Sequence, residues 1–380
     1  MLIGIFFFFF FYIIFSIFLQ IGWRKLPDET IDCTHKPSTT VAIILTARNE
    51  EKYLLTILEQ LLHQNYPQEL LQIYLADDAS TDSTNDLFLK YIETYPSLFF
   101  KVELNSTYQD WKGKKKWIAS AIDVIQGEFI LTTDADCSIP VTWVSAMVQS
   151  YELNHKQFIS GPVAMTGNRG FMRDFQKIEF LSLIGSGASA IGLEKPLMCN
   201  GANIGYARSA YKKVGGFSGN ATISSGDDEF LMHKIFSMYG SKGIGFCNNK
   251  AAIIQTQPAS SWSEFYNQRK RWASKWENYS LAHVQWIAIF IFIFHLIILI
   301  STVLAFIPSF TWQGAVFLWG IKGIFDYFYL KSVARFLSIG FKKSTFILSV
   351  LIYPFYVVGF GLAGRFGTYT WKERIETPHE

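Results

Sequence analysis

Cysteine is scarce in this sequence of 380 residues, and so is charge. The four cysteines, Cys33, Cys137, Cys199 and Cys247, lie far apart, with no CxxC pair and no histidine at zinc spacing. That excludes a disulfide framework and fits free thiols in a reducing compartment. Only 17% of the residues are charged, and 34 basic against 31 acidic side chains leave a net charge of +3. So small an excess, without a long basic stripe and interleaved aromatics, excludes nucleic acid as the expected partner. There is no internal repeat, and the one low-complexity tract is the run Phe6 to Phe11.

What is plentiful is apolar surface, half of all residues, gathered at the two ends. Leu2 to Ile21 carries no charge and is followed by Arg24 and Lys25. At about 1.5 Å per residue it can cross a hydrocarbon layer of roughly 30 Å. It lacks the basic start and small-residue cleavage site of a signal peptide, so residues 1–23 read as a retained anchor. Three further stretches, Val284 to Ile307, Trp312 to Leu330 and Phe346 to Ala363, form a membrane region over 284–366 with two or three transmembrane helices. Arg269, Lys270, Arg271 and Lys275 precede the first of these, and Lys331, Arg335, Lys342 and Lys343 follow the second. By the positive-inside rule the middle of the chain is cytoplasmic and the uncharged link Pro308 to Gln313 is outside. The expectation is a multi-pass protein of the plasma (inner) membrane. The tail fits less well, because a further crossing puts Arg365, Lys372 and Arg374 outside; a re-entrant or interfacial segment is the other reading. Lys322 and Asp326 stand at i, i+4 and can pair inside the bundle.

Residues 37–282 read as an α/β domain, a mostly parallel sheet flanked by helices. Strands are expected at Val41–Leu45, Leu71–Ala76, Phe99–Leu104 and Phe129–Thr133, alternating with helices that bear Leu54, Leu58 and Leu61, then Phe88 and Tyr91, then Lys115 to Ile125. In such sheets ligands bind beyond the carboxyl ends of the strands. Thr46 to Glu50 follow the first strand, Asp77-Asp78 with Ser80 and Asp82 the second, and Asp134-Ala135-Asp136 the fourth. Carboxylates so gathered repel unless a cation or donors offset them, and Mg²⁺ or Mn²⁺ bridging to a diphosphate meets that need. Taken singly the pieces are weak: Asp77 to Thr84 also reads as a turn and helix cap, and short DxD strings are common.

Together the motifs resemble the family 2 glycosyltransferases, and the resemblance covers nearly the whole chain. It rests on the Thr46–Glu50 loop, Asp77-Asp78, Asp134-Ala135-Asp136, Gly226 to Leu231, and Gln268-Arg269-Lys270-Arg271-Trp272, in the family's order. The resemblance implies a GT-A fold and inverting transfer from a nucleotide-diphosphate sugar, with UDP the expected nucleotide. It implies that Asp77 or Asp78 binds the base, with Thr46, Arg48 and Glu50 around it. Asp134 then faces the nucleotide or sugar, and Asp136 holds the metal. Lys114, in Gly113-Lys114-Lys115, helps hold the nucleotide or is a solvated helix start. Asp228 aligns with the catalytic base, with Asp227 as an alternate because the family's usual Glu-Asp is here Asp-Asp. Gln268 and Arg271 are implied at the diphosphate and Trp272 at the acceptor; an interfacial anchor is the bland alternative.

Asn200 and Asn203, in a loop similar to the family's acceptor-side loop, are expected to meet acceptor hydroxyls. Phe171 to Ile191 reads either as an interfacial helix guiding a lipid acceptor or as an ordinary domain helix. The expected acceptor is lipid or lipid-linked, because apolar segments surround one site. A processive polysaccharide synthase is the near alternative, and a non-catalytic transporter or scaffold the distant one. The spans lack the related, interrupted halves of a transporter. A sugar nucleotidyltransferase is disfavoured, since the loop Thr46 to Glu50 has no glycine.

Overall fold

In the computed structural model, β-branched and leucine runs alternate with amphipathic helices as the pattern predicts. The structure describes residues 2–32, 35–167, 170–306, 312–372 and 374–376, so Cys33 and most of the 308–313 link lie outside the described residues. Helix α1 (Leu2–Lys25) carries the apolar run and ends on Arg24 and Lys25. Then β1 (Val41–Ala47), α2 (Glu51–Leu62), β2 (Leu71–Asp77), α3 (Thr84–Thr94), β3 (Phe99–Lys101), α4 (Lys115–Val124) and β4 (Phe129–Asp134) alternate. Next come α5 (Trp143–Asn154), β5 (Phe158–Ser160), β6 (Val163–Met165), the long α6 (Phe171–Gly192) and β7 (Ile204–Ala207). The domain is completed by α7 (Arg208–Lys213), α8 (Asp227–Tyr239), β8 (Ile244–Phe246), β9 (Ile254–Thr256) and α9 (Trp262–Ala273). Three long helices follow, α10 (Ala282–Leu304), α11 (Trp312–Phe336) and α12 (Lys343–Ala363), and a hairpin of β10 (Tyr369–Trp371) and β11 (Arg374–Glu376).

The main sheet has the order β3-β2-β1-β4-β7-β5-β8. Strands β1 to β4 pair in parallel, and β7 runs antiparallel between β4 and β5. Central β1 is buried on both faces: Val41, Ile43 and Leu45 enter one core and Ala42 and Ile44 the other. Edge strand β3 stops at Lys101 rather than Leu104, where Lys101 and Glu103 are exposed.

Among the described residues three helices are long and apolar enough to cross a membrane: Phe7–Lys25, Ala282–Leu304 and Lys343–Ala363. The expected span Trp312–Leu330 continues to Phe336, and its charges, Lys322, Asp326 and Lys331 among them, set it apart. Helices α1 and α6 meet backbone to backbone, since a Cβ on Gly22 would lie 2.1 Å from the Ser189 carbonyl oxygen. Only glycine permits that approach.

The last helix is packed at both of its ends. Phe336, at the end of α11, packs edge-on against Trp23, 5.6 Å away beside Arg24. After the turn, Phe346 packs on Tyr327 at 5.3 Å. At the other end of α12, Phe360 packs on Phe265 of α9 at 5.9 Å, and Arg365 bonds Glu277 at 2.7 Å. The start of α12 thus rests on α11 and its end on α9. The hairpin then docks on that domain: Lys270 donates to the Thr368 carbonyl at 3.0 Å and Thr370 N–H to Asn267 at 3.0 Å.

Candidate active site

Strand register brings the acidic segments together. Ala47 stands opposite Asp77, and Thr46 opposite Asp134, so three strands end side by side and release their loops into one cavity. The first two loops are laced by hydrogen bonds. Asn49 N–H donates to Ser80 Oγ at 3.0 Å, Thr81 N–H to Asn49 Oδ1 at 2.8 Å, and Arg48 to the Asp78 carbonyl at 2.6 Å. Asn49 and Ala79 hold φ of 52° and 55°, sparsely populated conformations that mark a loop shaped by its surroundings.

Asp77 and Asp78 have separate tasks. Asp77 accepts from Ser80 N–H at 3.2 Å and closes the turn, while Asp82 caps α3 through Thr84 N–H at 3.0 Å. Asp78 turns into the cavity and accepts from Trp117 Nε1 at 2.9 Å, Arg374 at 2.7 Å and Lys116 at 3.1 Å. Burial raises its pKa, but these donors prevail and hold it below the usual carboxylate range. Of the two, only Asp78 lines the cavity.

Lys114 reaches across the site, 2.5 Å from Asp134 and 4.0 Å from Asp227. Burial opposes the ionisation of Asp134, and the Lys114 ammonium overrides it, keeping the carboxyl below its ordinary range. Lys115 serves structure instead, donating to the carbonyls of Asn220, Ile223 and Ser225 at 2.6–2.9 Å. It clamps the loop before α8, and burial pushes its pKa down to about 8.

Asp136 is pushed up, first by burial and then by the charge of Asp134. Among the described residues no three His, Cys, Asp or Glu side chains converge to hold a metal alone. The pair does fit a divalent ion completed by a ligand. Lys114 offsets the charge of Asp134, Asp136 is still raised by its neighbour, and Mg²⁺ is commonly bound by one or two carboxylates plus phosphate.

Asp227, Asp228 and Glu229 form the first turn of α8, where the helix dipole favours negative charge. Asp228 faces the cavity, and burial pushes its pKa up to about 6 while Lys275 opposes the rise. Above it the loop Cys199–Asn203 leaves room, because a Cβ on Gly201 would come 3.2 Å from Asp228 Oδ2. Glu229, also at the cavity wall, is bound by Lys275 at 2.9 Å and the Tyr279 hydroxyl at 2.6 Å.

Thr46, Arg48, Glu50, Lys114, Asp134, Asp136, Asn200, Asp227, Asp228, Gln268, Arg271 and Trp272 all line this cavity. Asn203 does not. It is fully buried; its amide donates to the Pro162 and Ala252 carbonyls at 2.9 Å and accepts from Trp143 at 2.9 Å. Every polar atom is used within the core, so the expected acceptor contact is corrected to a structural one. Sequence reasoning also missed two sets of residues. Glu179 of α6 pairs with Arg269 in the middle of the Gln268–Trp272 segment, and Lys372 and Arg374 reach Glu50 and Asp78 from the hairpin. The tail's basic residues were a visible signal, because they conflicted with the charge rule.

The family described as "Glycosyl transferase family 2" matches residues 42–215, and "Glycosyl transferase family group 2" matches 129–362. The "Probable glycosyltransferase YdaM" of Bacillus subtilis is 25% identical over 240 residues, 61% of this chain and 54% of that protein. A "Beta-monoglucosyldiacylglycerol synthase" of Nostoc is 30% identical over 99 residues, 26% of this chain and 20% of that protein. The match spans about half of the first relative's length and a fifth of the second's. The solved mannosyltransferase PcManGT from Pyrobaculum calidifontis, in complex with GDP-Man and Mn²⁺, superposes with a TM-score of 0.57 at 17% identity. That likeness of fold covers 90% of this chain and 94% of the other.

Proposed function

The chain belongs to the family 2 glycosyltransferases, enzymes that use nucleotide-sugar donors, and we propose that it moves a sugar from a UDP-sugar to a lipid hydroxyl in the membrane. One observation carries the lipid half of this reading. The cavity that holds Asp78, Asp134 and Asp228, about 1240 Å³, continues between the long apolar helices, where Ile287, Phe292 and Val357 line it. A lipid can then present its headgroup at Asp228 without leaving the bilayer. The relative named for a glucosyldiacylglycerol supports the same class of acceptor.

In this reading Asp78 accepts a donor hydrogen of the nucleotide base, and Thr46, Arg48 and Glu50 border the base and ribose. Lys114 and Arg271 face the diphosphate, and Gln268 assists. Asp136, beside Asp134, would hold Mg²⁺ or Mn²⁺, whose charge would offset that growing on the leaving diphosphate. The acceptor hydroxyl attacks the anomeric carbon from the face opposite the leaving group, giving inversion, while Asp228 takes its proton. Such a base is typically worth about 10²–10⁴-fold. Asp227 stays with Lys114. Asn200 and Trp272 border the acceptor.

Arg24, Lys25 and Lys275, at helix ends on the domain side, support a multi-pass protein of the plasma (inner) membrane with the domain in the cytoplasm. Incubating membranes with a panel of radiolabelled nucleotide sugars and extracting with organic solvent tests the reaction. A labelled lipid formed from a UDP-sugar is the expected result. Label confined to a water-soluble polymer would instead identify a polysaccharide synthase.

A further inference from the structure

Between the long apolar helices the cavity wall carries a polar cluster. Lys322 and Asp326 stand one turn apart near the middle of α11, and the Lys322 side chain is 1% exposed. Its ammonium bonds Asp326 and lies 5.9 Å from the Tyr12 ring centroid and 5.3 Å from that of Tyr353. Tyr12 of α1 donates to the other Asp326 oxygen at 2.5 Å. From α10, His295 packs edge-on against Tyr353 at 5.4 Å and is 2% exposed. All five line the cavity that contains Asp228.

His295 is the residue that a purely structural cluster leaves unexplained. Its Nδ1 lies 2.7 Å from the Ile291 carbonyl, so this nitrogen carries the proton. In the neutral ring Nε2 is then an acceptor, and it has no hydrogen-bond partner among the described residues. A buried acceptor left without a donor loses its solvation and gains nothing in return. Ionisable side chains within apolar helices mark functional sites for the same reason.

We propose that this cluster is a second acceptor subsite, holding the uncharged, hydroxyl-bearing linkage region of a lipid headgroup, a glycerol or an inner sugar, while the reacting hydroxyl lies at Asp228. The proposal rests on the lipid-acceptor reading above. Charge selects the class. Lys322 is already neutralised by Asp326, so a phosphate here would meet a carboxylate with no spare cation. A hydroxyl can donate to His295 Nε2 and accept from Tyr353.

The test uses the full chain in phosphatidylcholine nanodiscs and an alkyl β-glucoside carrying a diazirine on the methylene next to the sugar. Light should attach it to peptides of α11 or α12, and dodecyl β-maltoside should compete while dodecyl phosphate does not. His295→Phe, and separately the charge-removing pair Lys322→Met with Asp326→Leu, should each reduce labelling by about tenfold. UDP binding should stay within about twofold and so report an intact domain. Labelling that survives in both variants overturns the subsite, and so does competition by dodecyl phosphate alone. The labelling reads binding and the separate radiolabel assay reads lipid product, so the two failures are distinct. Intact labelling without lipid product sinks the acceptor reading, and lipid product with unchanged labelling in the variants sinks the subsite.

Discussion

Glu179 and Arg269 face each other with both side chains wholly shielded from solvent, joined by two hydrogen bonds of 3.2 and 2.5 Å. Tyr356 of α12 donates to the same carboxylate at 2.8 Å. The guanidinium carbon of Arg269 lies 4.3 Å from the Trp272 ring centroid. Three helices thus share one ionic junction directly beside Trp272.

Removing one partner from such a pair leaves a buried charge. Arg269→Met should cost about 3–5 kcal/mol of stability, and adding Glu179→Leu should restore much of it. Denaturant titration of the purified enzyme measures both. A single variant as stable as the wild type would mean that the junction is hydrated.

Asp228→Asn should leave UDP binding nearly intact while sugar transfer falls by about 10²–10⁴-fold. Calorimetry and a radiolabel assay separate the two. Retention of most turnover would remove Asp228 from the chemistry and turn attention to Asp227.

The base must be ionised to accept a proton. With Asp228 pushed up to about 6, kcat/KM should be full above that pH and fall as pH drops through it. Lys275 opposes the rise, so Lys275→Met should move the midpoint upward. A profile flat from pH 5 to 8 would contradict the assignment, since a group titrating at about 6 must show there.

Asp136→Ala should weaken UDP affinity in Mn²⁺ by about tenfold or more and change it little in chelator. Equal affinity of variant and wild type in Mn²⁺ would count against this residue as the ligand.

Arg374 bonds Asp78 at 2.7 Å, and Lys372 bonds Glu50, so the hairpin stands in the pocket assigned to the nucleotide. Its entry has to break those pairs. Hydrogen exchange at 369–376 should therefore rise when UDP is added. Slower exchange there would mean that the hairpin closes on the nucleotide.

The strands and the three carboxylate loops were legible because a parallel sheet forces both a hydrophobic run and a ligand-bearing end. Thr46, Asp78 and Asp134 could be placed from order alone. Asn203 could not, because an amide next to an acceptor loop looks the same whether it meets a sugar or three core partners. Glu179 was hidden for a related reason: its helix mixes charged and apolar residues, and only packing shows which charge turns inward. The path of α12 was illegible because length and hydropathy report that a helix can cross, not where the next segment docks.

That path also fixes a height. With α12 packed on α9 and the hairpin docked on the same helix, the domain is tied to the long helices at several points rather than by a single stalk. On the proposed lipid-acceptor reading Asp228 would then wait at a set level, and substrates would be sorted by how far their hydroxyl stands above the acyl chains, as if against a ruler.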